Sequence, residues 1–271
     1  MAIGVTDDKH YKAIADVLRS YTEPDNTFTP SEMPNAIVEA VDKSEEAGRK
    51  SEYDAFWDSY QDYGNRTDCS NLFSGPGWND ETFKPKYDIS TIQIGYMFFA
   101  RSKISDFISI LPKFEIKNSS QYAFYQCKSV THLGEITLND EMYGTFQGCE
   151  LLKTIDKLII NWANTKGTNH NSTFNQCSEL RNIVIEGEFR GNVSFQYSKK
   201  LTKASITSIV NAISNEVSGK TLTLSKSAVD TAFQELDIAE DGSINHYKEG
   251  SQSSEWAELI ATKSNWNISL V

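Results

Sequence analysis

The chain has 271 residues, of which 39% are hydrophobic, so it is long enough to bury a substantial core. Its formal net charge is −11, and no stripe of Lys and Arg is present, which argues against nucleic-acid binding. No run of about 18 apolar residues occurs, so the sequence predicts no membrane insertion.

The first segment, residues 1–50, is predicted to form two short amphipathic helices separated by the break "YTEPDNTF". The second helix begins with Thr29 as N-cap, Pro30 at the first helical position and Glu32 completing a capping box. Helices shorter than about 12–15 residues are marginal alone in water, so we expect their apolar faces to meet each other, another copy or a partner protein. The residues of the two apolar stripes are Tyr11, Ile14, Val17, Leu18, Ile37, Val38 and Val41.

Residues 51–90 are rich in aromatic side chains and contain a loop rich in Gly, Pro and Asn. Phe56, Trp57, Tyr60 and Tyr63 fall at helical spacing, which indicates the buried face of a helix. An array of repeats needs an atypical element to cover its open end. We therefore predict that this segment is the N-terminal cap of such an array.

The central segment, residues 91–205, carries an internal repeat of the form Phe-x-x-Cys-x-x-Leu, followed by apolar residues at every third position. Clear copies begin at Phe124, Phe146 and Phe174, and weaker copies begin at Phe98 and Phe195. A spacing of three over so long a run suits neither a single strand nor a regular helix. It predicts a coiled solenoid whose turns carry their apolar residues to a shared interior.

Cys127, Cys149 and Cys177 occupy one equivalent position of the repeat, with Arg101 and Ser198 at the degenerate ends. A disulfide would leave one of the three thiols over, and a zinc site needs about four ligands, with no Cys-x-x-Cys or His pair available. We therefore predict that the three cysteines are reduced, buried packing residues.

Residues 206–271 are predicted to form an α/β C-terminal cap, because the apolar period changes to that of helices and strands. The predicted order is a helix in "LTKASITSIVNAISNE", a strand in "KTLTLS", a helix in "SAVDTAFQEL", a polar loop over residues 237–253, a helix in "SEWAELIATKS" and a strand in "WNISLV". The predicted fold class is therefore α+β.

An insertion, residues 161–171, lengthens one repeat to 28 residues and gives the candidate partner-binding site. Insertions of this kind map to loops on one face, and an exposed Trp amid Asn and Thr suits a sugar or a protein partner. The alternative is that Trp162 folds over the neighbouring coil. The candidate residues are Trp162, Asn164, Lys166 and His170. The four histidines lie in separate predicted elements, so we predict no catalytic, cofactor or metal site.

The repeat resembles the BspA-type leucine-rich repeat of bacterial surface proteins and phage structural proteins. The resemblance is carried by Phe124 to Leu138, Phe146 to Ile160 and Phe174 to Ile185. "YKAIADVLRS…TFTPSEMPNAIVEAV" is similar to an N-terminal segment of tail, baseplate and fibre proteins of phages of Gram-positive gut bacteria. "GKTLTLSKSAVDTAF…EWAELIATKSNWNISLV" resembles the C-terminal segment that closes the repeats in such proteins.

This resemblance implies a non-enzymatic virion structural protein of the tail tip, baseplate or fibre. Its expected partners are other virion proteins and a host cell-surface receptor, either a glycan or a protein, and it is expected to form a homo-oligomer through its N-terminus. The alternative is a bacterial cell-surface leucine-rich-repeat adhesin. An adhesin needs export, and "MAIGVTDDKHYKAIADVL" lacks the pattern of a secretory signal, which favours the virion.

Overall fold

The computed structural model describes residues 69–85, 88–139, 142–161, 170–238, 244–252 and 254–271. All of them belong to one unit, Tyr63–Val271. The two helices predicted in residues 1–50, with their apolar stripes, and the aromatic helix predicted around Phe56 lie outside the described residues. The described chain is a mixed α/β structure with a parallel sheet and few helices.

Ten strands and four helices have describable bounds. The strands are β1 (Thr91–Ile92), β2 (Lys113–Ile116), β3 (His132–Leu138), β4 (Thr154–Ile160), β5 (Asn182–Gly187), β6 (Val193–Phe195), β7 (Lys220–Leu224), β8 (Gln234–Ile238), β9 (Ile244–Gln252) and β10 (Trp266–Leu270). The helices are α1 (Phe107–Ile110), α2 (Lys203–Asn211), α3 (Lys226–Ala232) and α4 (Ser254–Ala261).

The strands form three sheets. Strands β1 to β5 make a parallel sheet in which the order across the sheet follows the order along the chain. Strands β10, β7 and β6 make a second parallel sheet in that order, and β8 pairs with β9 in an antiparallel hairpin. Each connection in the first sheet therefore returns the chain to the next position along it, in the same direction.

The core of the first sheet contains a stack of phenylalanine rings, which we name the phenylalanine column. Neighbouring rings have centroids 4.3–5.8 Å apart and planes inclined by 20–30°. All members are fully buried, and burial of an aromatic side chain contributes a large apolar area to stability. The members are Phe73, Phe99, Phe124, Phe146, Phe174 and Phe195.

The repeat positions predicted from Phe124, Phe146 and Phe174 are confirmed, because the apolar residues that follow each of them are buried down to the strands, with Ile185 half-buried. Leu152 and Ile155 of the second copy are fully buried. The register of the first weak copy is wrong by one residue. The backbone N–H of Phe99 donates to the carbonyl of Ala123 across 2.7 Å, just as the backbone N–H of Phe124 donates to a carbonyl of the next unit. Phe99 rather than Phe98 therefore belongs to the column.

This shift also changes the residue at the cysteine position. Ser102, not Arg101, is equivalent to the cysteines, and its hydroxyl lies 3.7 Å from the sulfur of Cys127. Arg101 is exposed in the preceding turn, where its φ is 62°. Ser198 holds the equivalent position at the other end, as predicted, since its N–H donates to the carbonyl of Phe195 as each cysteine N–H does to its own phenylalanine.

One further unit precedes those identified in the sequence. Phe73, within the segment predicted as the cap, stacks on Phe99, and its N–H donates to the carbonyl of Phe98 across 2.9 Å. Phe83 packs edge-on against both phenylalanines of this end of the column, Phe73 and Phe99. The residues 69–85 therefore combine one more unit of the stack with the aromatic packing expected of a cap.

Helix α2 terminates the first sheet at β5. The N–H of Ile183 donates to the hydroxyl of Ser205, and the N–H of Ile185 donates to the hydroxyl of Ser208, each across 2.9 Å. Thr202 caps the helix by accepting from the backbone N–H of Ser205. An unpaired strand edge is a template for association with another chain. At the edge of β5, the two serine hydroxyls take the place of the pairing partner that a further strand would supply.

The C-terminal region fastens the loop that follows α2. The ammonium group of Lys263 donates to the carbonyl of Ile213 across 2.6 Å, and the indole N–H of Trp266 donates to the carbonyl of Ser214 across 2.7 Å. Lys263 is buried, and its desolvation lowers its pKa. These bonds supply donors to carbonyls beyond the end of the helix, and the side-chain amide of Asn265 also donates to the carbonyl of Ser214.

Most of the elements predicted for residues 206–271 are present: α2, β7, α4 and β10 fall within the predicted stretches. Helix α3 begins one residue before its predicted stretch "SAVDTAFQEL", and the end of that stretch belongs to β8 instead of the helix. The predicted polar loop over residues 237–253 is wrong, because this region contains the hairpin strands β8 and β9. In the described part of the chain, no helix has both the length and the apolar character required to span a bilayer.

Candidate binding surface

The predicted partner-binding site is only partly described. Trp162, Asn164 and Lys166 lie outside the described residues. The side chain of His170 is fully buried, and its backbone N–H donates to the carbonyl of Asn192 across 2.7 Å. Burial lowers the pKa of its imidazole to about 4. The structure therefore corrects the role expected for His170, since a fully buried side chain belongs to the core and is not presented to a partner.

The outer face of the first sheet carries charges that pair with one another. Lys113 lies 3.2 Å from Glu135, whose cross-strand neighbour is Lys157. Lys157 in turn lies 2.9 Å from Glu186, and the hydrogen bond that its ammonium group donates to this carboxylate raises the pKa of the lysine. The positive and negative side chains of this ladder alternate across four strands and pair with one another. The ladder therefore offers a partner little unpaired charge.

A cleft near β2 is lined by carboxylates that serve the fold. The carboxylate of Asp80 accepts hydrogen bonds from the backbone N–H groups of Ser105 and Asp106, at 2.7 and 3.0 Å, and from the Ser105 hydroxyl. Partial burial acts to raise the pKa of Asp80, but these hydrogen bonds outweigh it and lower the pKa. Asp80 therefore anchors residues 105–106.

A second surface carries far fewer charges than the sheet, and we name it the turn face. It is made of residues 96–101, 121–126, 143–148 and 171–176. Each of these four turns precedes a cysteine or Ser102, and each of the first three hydrogen-bonds to the next turn, for example from the N–H of Gln126 to the carbonyl of Gln147 across 2.8 Å. The turn at 121–126 has two residues in the left-handed region, Tyr122 (φ 58°) and Gln126 (φ 54°). Side chains other than Gly tolerate this conformation only where the surroundings fix it.

Three tyrosines lie in a row across the turn face, and we name them the tyrosine row: Tyr96, Tyr122 and Tyr143. The ring of Tyr122 is 6.1 Å from that of Tyr96 and 5.5 Å from that of Tyr143, and it is nearly perpendicular to both. Tyr96 is 37% exposed and Tyr143 is 39% exposed, whereas Tyr122 is half-buried between them. Burial, followed by the neighbouring phenol of Tyr143, raises the pKa of Tyr122.

Beside this row, the guanidinium of Arg101 lies 5.6 Å from the ring centre of Tyr125, and its Nε donates to the side-chain oxygen of Gln126 across 3.2 Å. Arg101 is the single charged residue in the four segments of the turn face. The remaining polar side chains are hydroxyls and amides. The amide residues are Gln121, Gln126, Gln147, Asn171, Asn175 and Gln176.

The sequence contained only an irregular signal for the tyrosine row. Tyr96 and Tyr143 each stand three residues before a member of the phenylalanine column, and Tyr122 stands two residues before one. The apolar period identifies what is buried, whereas these rings lie on the surface.

Within the described ranges, His, Cys, Asp and Glu side chains nowhere gather in a group of three or more that could hold a metal ion. Comparison with known protein families, with characterised proteins and with solved structures finds no match to this chain.

Proposed function

We propose that this protein is a non-enzymatic structural protein of a phage particle, located at the tail tip, baseplate or fibre. In this proposal a leucine-rich-repeat solenoid presents its turn face to a protein or to the host surface. The observation that carries the proposal is the tyrosine row, Tyr96, Tyr122 and Tyr143, on a surface with a single charged residue. Exposed aromatic side chains aligned on a rigid support are typical of binding surfaces.

A solenoid is supported by the repetition of the same contacts from unit to unit. Five parallel strands follow one another in chain order, and their turns are joined by backbone hydrogen bonds. The phenylalanine column runs through six units. In repeat proteins each unit contacts its neighbours alone, so stability adds up along the array and leaves an extended surface for binding.

Binding is favoured over catalysis by the chemistry of the reactive side chains. Nucleophilic catalysis by cysteine requires a thiolate, and burial raises the pKa of Cys127 and Cys177 to about 12. His170 is fully buried, and His132 is paired with Asp156 on the sheet face at 2.7 Å.

The location can be tested by immunoelectron microscopy with antibodies raised against the full chain. We expect the antibodies to label the distal end of the tail on phage particles produced by the bacterium that carries the gene. Labelling of the envelope of uninfected cells would instead support the alternative, a bacterial surface adhesin. Labelling of neither structure would contradict both hypotheses.

We also propose that residues 1–50 mediate homo-oligomer formation and attachment to other virion proteins. Charge placed in the two apolar stripes, as in the double variant V17D/V41D, should convert the oligomer to a monomer in light scattering. A matched double variant outside the stripes, D16N/E39Q, should leave the mass unchanged. A monomeric wild-type chain would contradict this proposal without affecting the one on the turn face.

A further inference from the structure

We infer that the turn face binds a linear, uncharged glycan laid across successive units, with Tyr96, Tyr122 and Tyr143 as its principal contacts. This inference rests on the proposed function and names the chemical class of its ligand. It follows from three properties of the turn face: its charge, its side-chain chemistry and the spacing of its tyrosine rings.

The charge of the turn face indicates a neutral ligand. Its four segments contain a single charged residue, Arg101, which is already engaged by Gln126 and lies over the ring of Tyr125. Anionic polymers are bound by clusters of Lys and Arg, and cationic ones by clusters of carboxylates. Neither kind of cluster occurs in these segments, whereas the charges of the sheet face pair with each other.

The side chains suit the two surfaces of a sugar ring. A pyranose has a face of C–H bonds, which packs on an aromatic ring, and an edge of hydroxyls, which form hydrogen bonds. Tyr96 and Tyr143 expose more than a third of their surface, and a tyrosine hydroxyl can both donate and accept a hydrogen bond. Half-buried Gln121 and Gln147 follow the same surface and offer amide groups that both donate and accept hydrogen bonds.

The spacing indicates a polymer. The tyrosine rings are 6.1 and 5.5 Å apart because they belong to successive units, whose strands are separated by about 5 Å. This separation is close to the length of one pyranose residue in an extended chain. A polysaccharide offers the same group at each step, whereas the surface of a folded protein does not repeat at this interval. We therefore favour a glycan over a protein partner.

Rigid support of the row reduces the cost of binding. Tyr122 is held between its two neighbours, and its backbone N–H donates to the carbonyl of Tyr143 across 3.0 Å. A surface that is ordered before the ligand arrives loses less conformational entropy on binding.

The test is a binding measurement on the full-length protein with two sets of probes. The neutral set consists of linear β-glucan, galactan and rhamnan, and the anionic set consists of lipoteichoic acid and hyaluronate. We expect binding to at least one neutral polysaccharide, with little dependence on salt between 50 mM and 500 mM NaCl, because few charges take part. Affinity should rise with oligosaccharide length until the ligand covers all three tyrosines.

Substitutions of exposed tyrosines test whether the turn face is the surface that binds the glycan. Y143A should weaken binding by about tenfold, as expected for loss of an exposed aromatic contact of the interface. Y143F should retain part of the affinity, because it keeps the ring and loses only the hydroxyl. Y197A is the matched control, since Tyr197 is 43% exposed and lies outside the row. Equal thermal unfolding of the three variants and the wild type would show that their folds are intact.

Three outcomes would overturn the inference: binding to the anionic probes alone, loss of affinity in Y197A equal to that in Y143A, or no neutral polysaccharide bound. Periodate oxidation of host cells separates this inference from the proposed function. If the protein binds oxidised cells as well as untreated ones, the glycan is wrong and a protein receptor is indicated. If it binds neither cells nor virion proteins, the proposed function is wrong as well.

Discussion

The sulfur of Cys149 donates a hydrogen bond to the backbone carbonyl of Phe124, the phenylalanine of the preceding unit, across 3.0 Å. The sulfurs of Cys127 and Cys177 make the same bond to the carbonyls of Phe99 and Phe146, at 3.0 and 3.1 Å. Each thiol thus joins two units while remaining fully buried. The repeat places cysteine here because its small, weakly polar side chain packs in the core and also supplies a donor.

The first prediction is that these thiols are inert in the folded protein. Burial raises the pKa of Cys127 and Cys177 to about 12, and it raises that of Cys149 as well, so the reactive thiolate is scarce at pH 8. Mass spectrometry after brief treatment with iodoacetamide should find the three unlabelled in the native protein and labelled in guanidinium chloride. T131C, a cysteine placed at an exposed site, is the positive control. Rapid native labelling of Cys149 would contradict the structure.

The second prediction concerns Gly134 in β3. A Cβ atom there would lie 2.0 Å from the carbonyl oxygen of Pro112, which already accepts a hydrogen bond from the N–H of Glu135. The backbone of two neighbouring strands must therefore move, and G134A should lower the free energy of unfolding by about 3 kcal/mol. G77A is the control, because a Cβ atom at Gly77 meets nothing within 4 Å. Urea denaturation that finds the two variants equally stable would refute the packing described for β2 and β3.

The third prediction concerns the serine hydroxyls that terminate the sheet. S205A removes the acceptor of the Ile183 N–H and the donor to the carbonyl of Arg181, and Ser205 is only 3% exposed. A buried amide left without a partner costs about 1–3 kcal/mol, which urea denaturation would measure. Ser208 is half-buried, so S208A should cost less. Faster hydrogen exchange at the amide of Ile183 in S205A should accompany the loss, and unchanged exchange would count against this role.

The fourth prediction is a dependence of stability on pH that originates from His170. Its pKa is about 4 in the folded protein, against 6.5 for the exposed side chain, so the unfolded chain binds the proton more readily between these values. Stability should therefore fall as the pH falls from 6.5 to 4, by up to about 3 kcal/mol from this residue. H170Q lacks the titrating group, so its unfolding free energy should change less over this range. Parallel curves for the two proteins would show that His170 is not buried as described.

Sequence periodicity identified the buried residues well because burial is what it records. The positions of Phe124, Phe146 and Phe174 and of the three cysteines followed from identical spacings, and strands β3 to β5 followed from the apolar alternation after them. The spacing could not decide between Phe98 and Phe99, since both are fully buried and the backbone hydrogen bonds of the turns make the choice.

Other features left no periodic signal. The unit at Phe73 was missed because no apolar alternation follows it before Phe83, so its place in the stack depends on contacts with the next unit. The stretch "INHYKEGSQ" of β9 is mostly polar, so no apolar pattern predicts its pairing with β8. The tyrosine row is a surface feature, and which tyrosines become neighbours depends on the stacking of the turns.

The uniform junctions between units have a consequence for the gene. A duplicated unit inserted beside Phe146 would meet, on both sides, a ring, a thiol–carbonyl pair and a turn like those of its parent. If the repeats form a solenoid as proposed, gain or loss of one such unit keeps the same kinds of contact between neighbours, because each unit of a repeat protein contacts its neighbours alone. Each added or lost unit would change the span of the exposed surface by one step. The end closed by Ser205 and Ser208 fits β5 alone, so such changes are confined to the interior of the array.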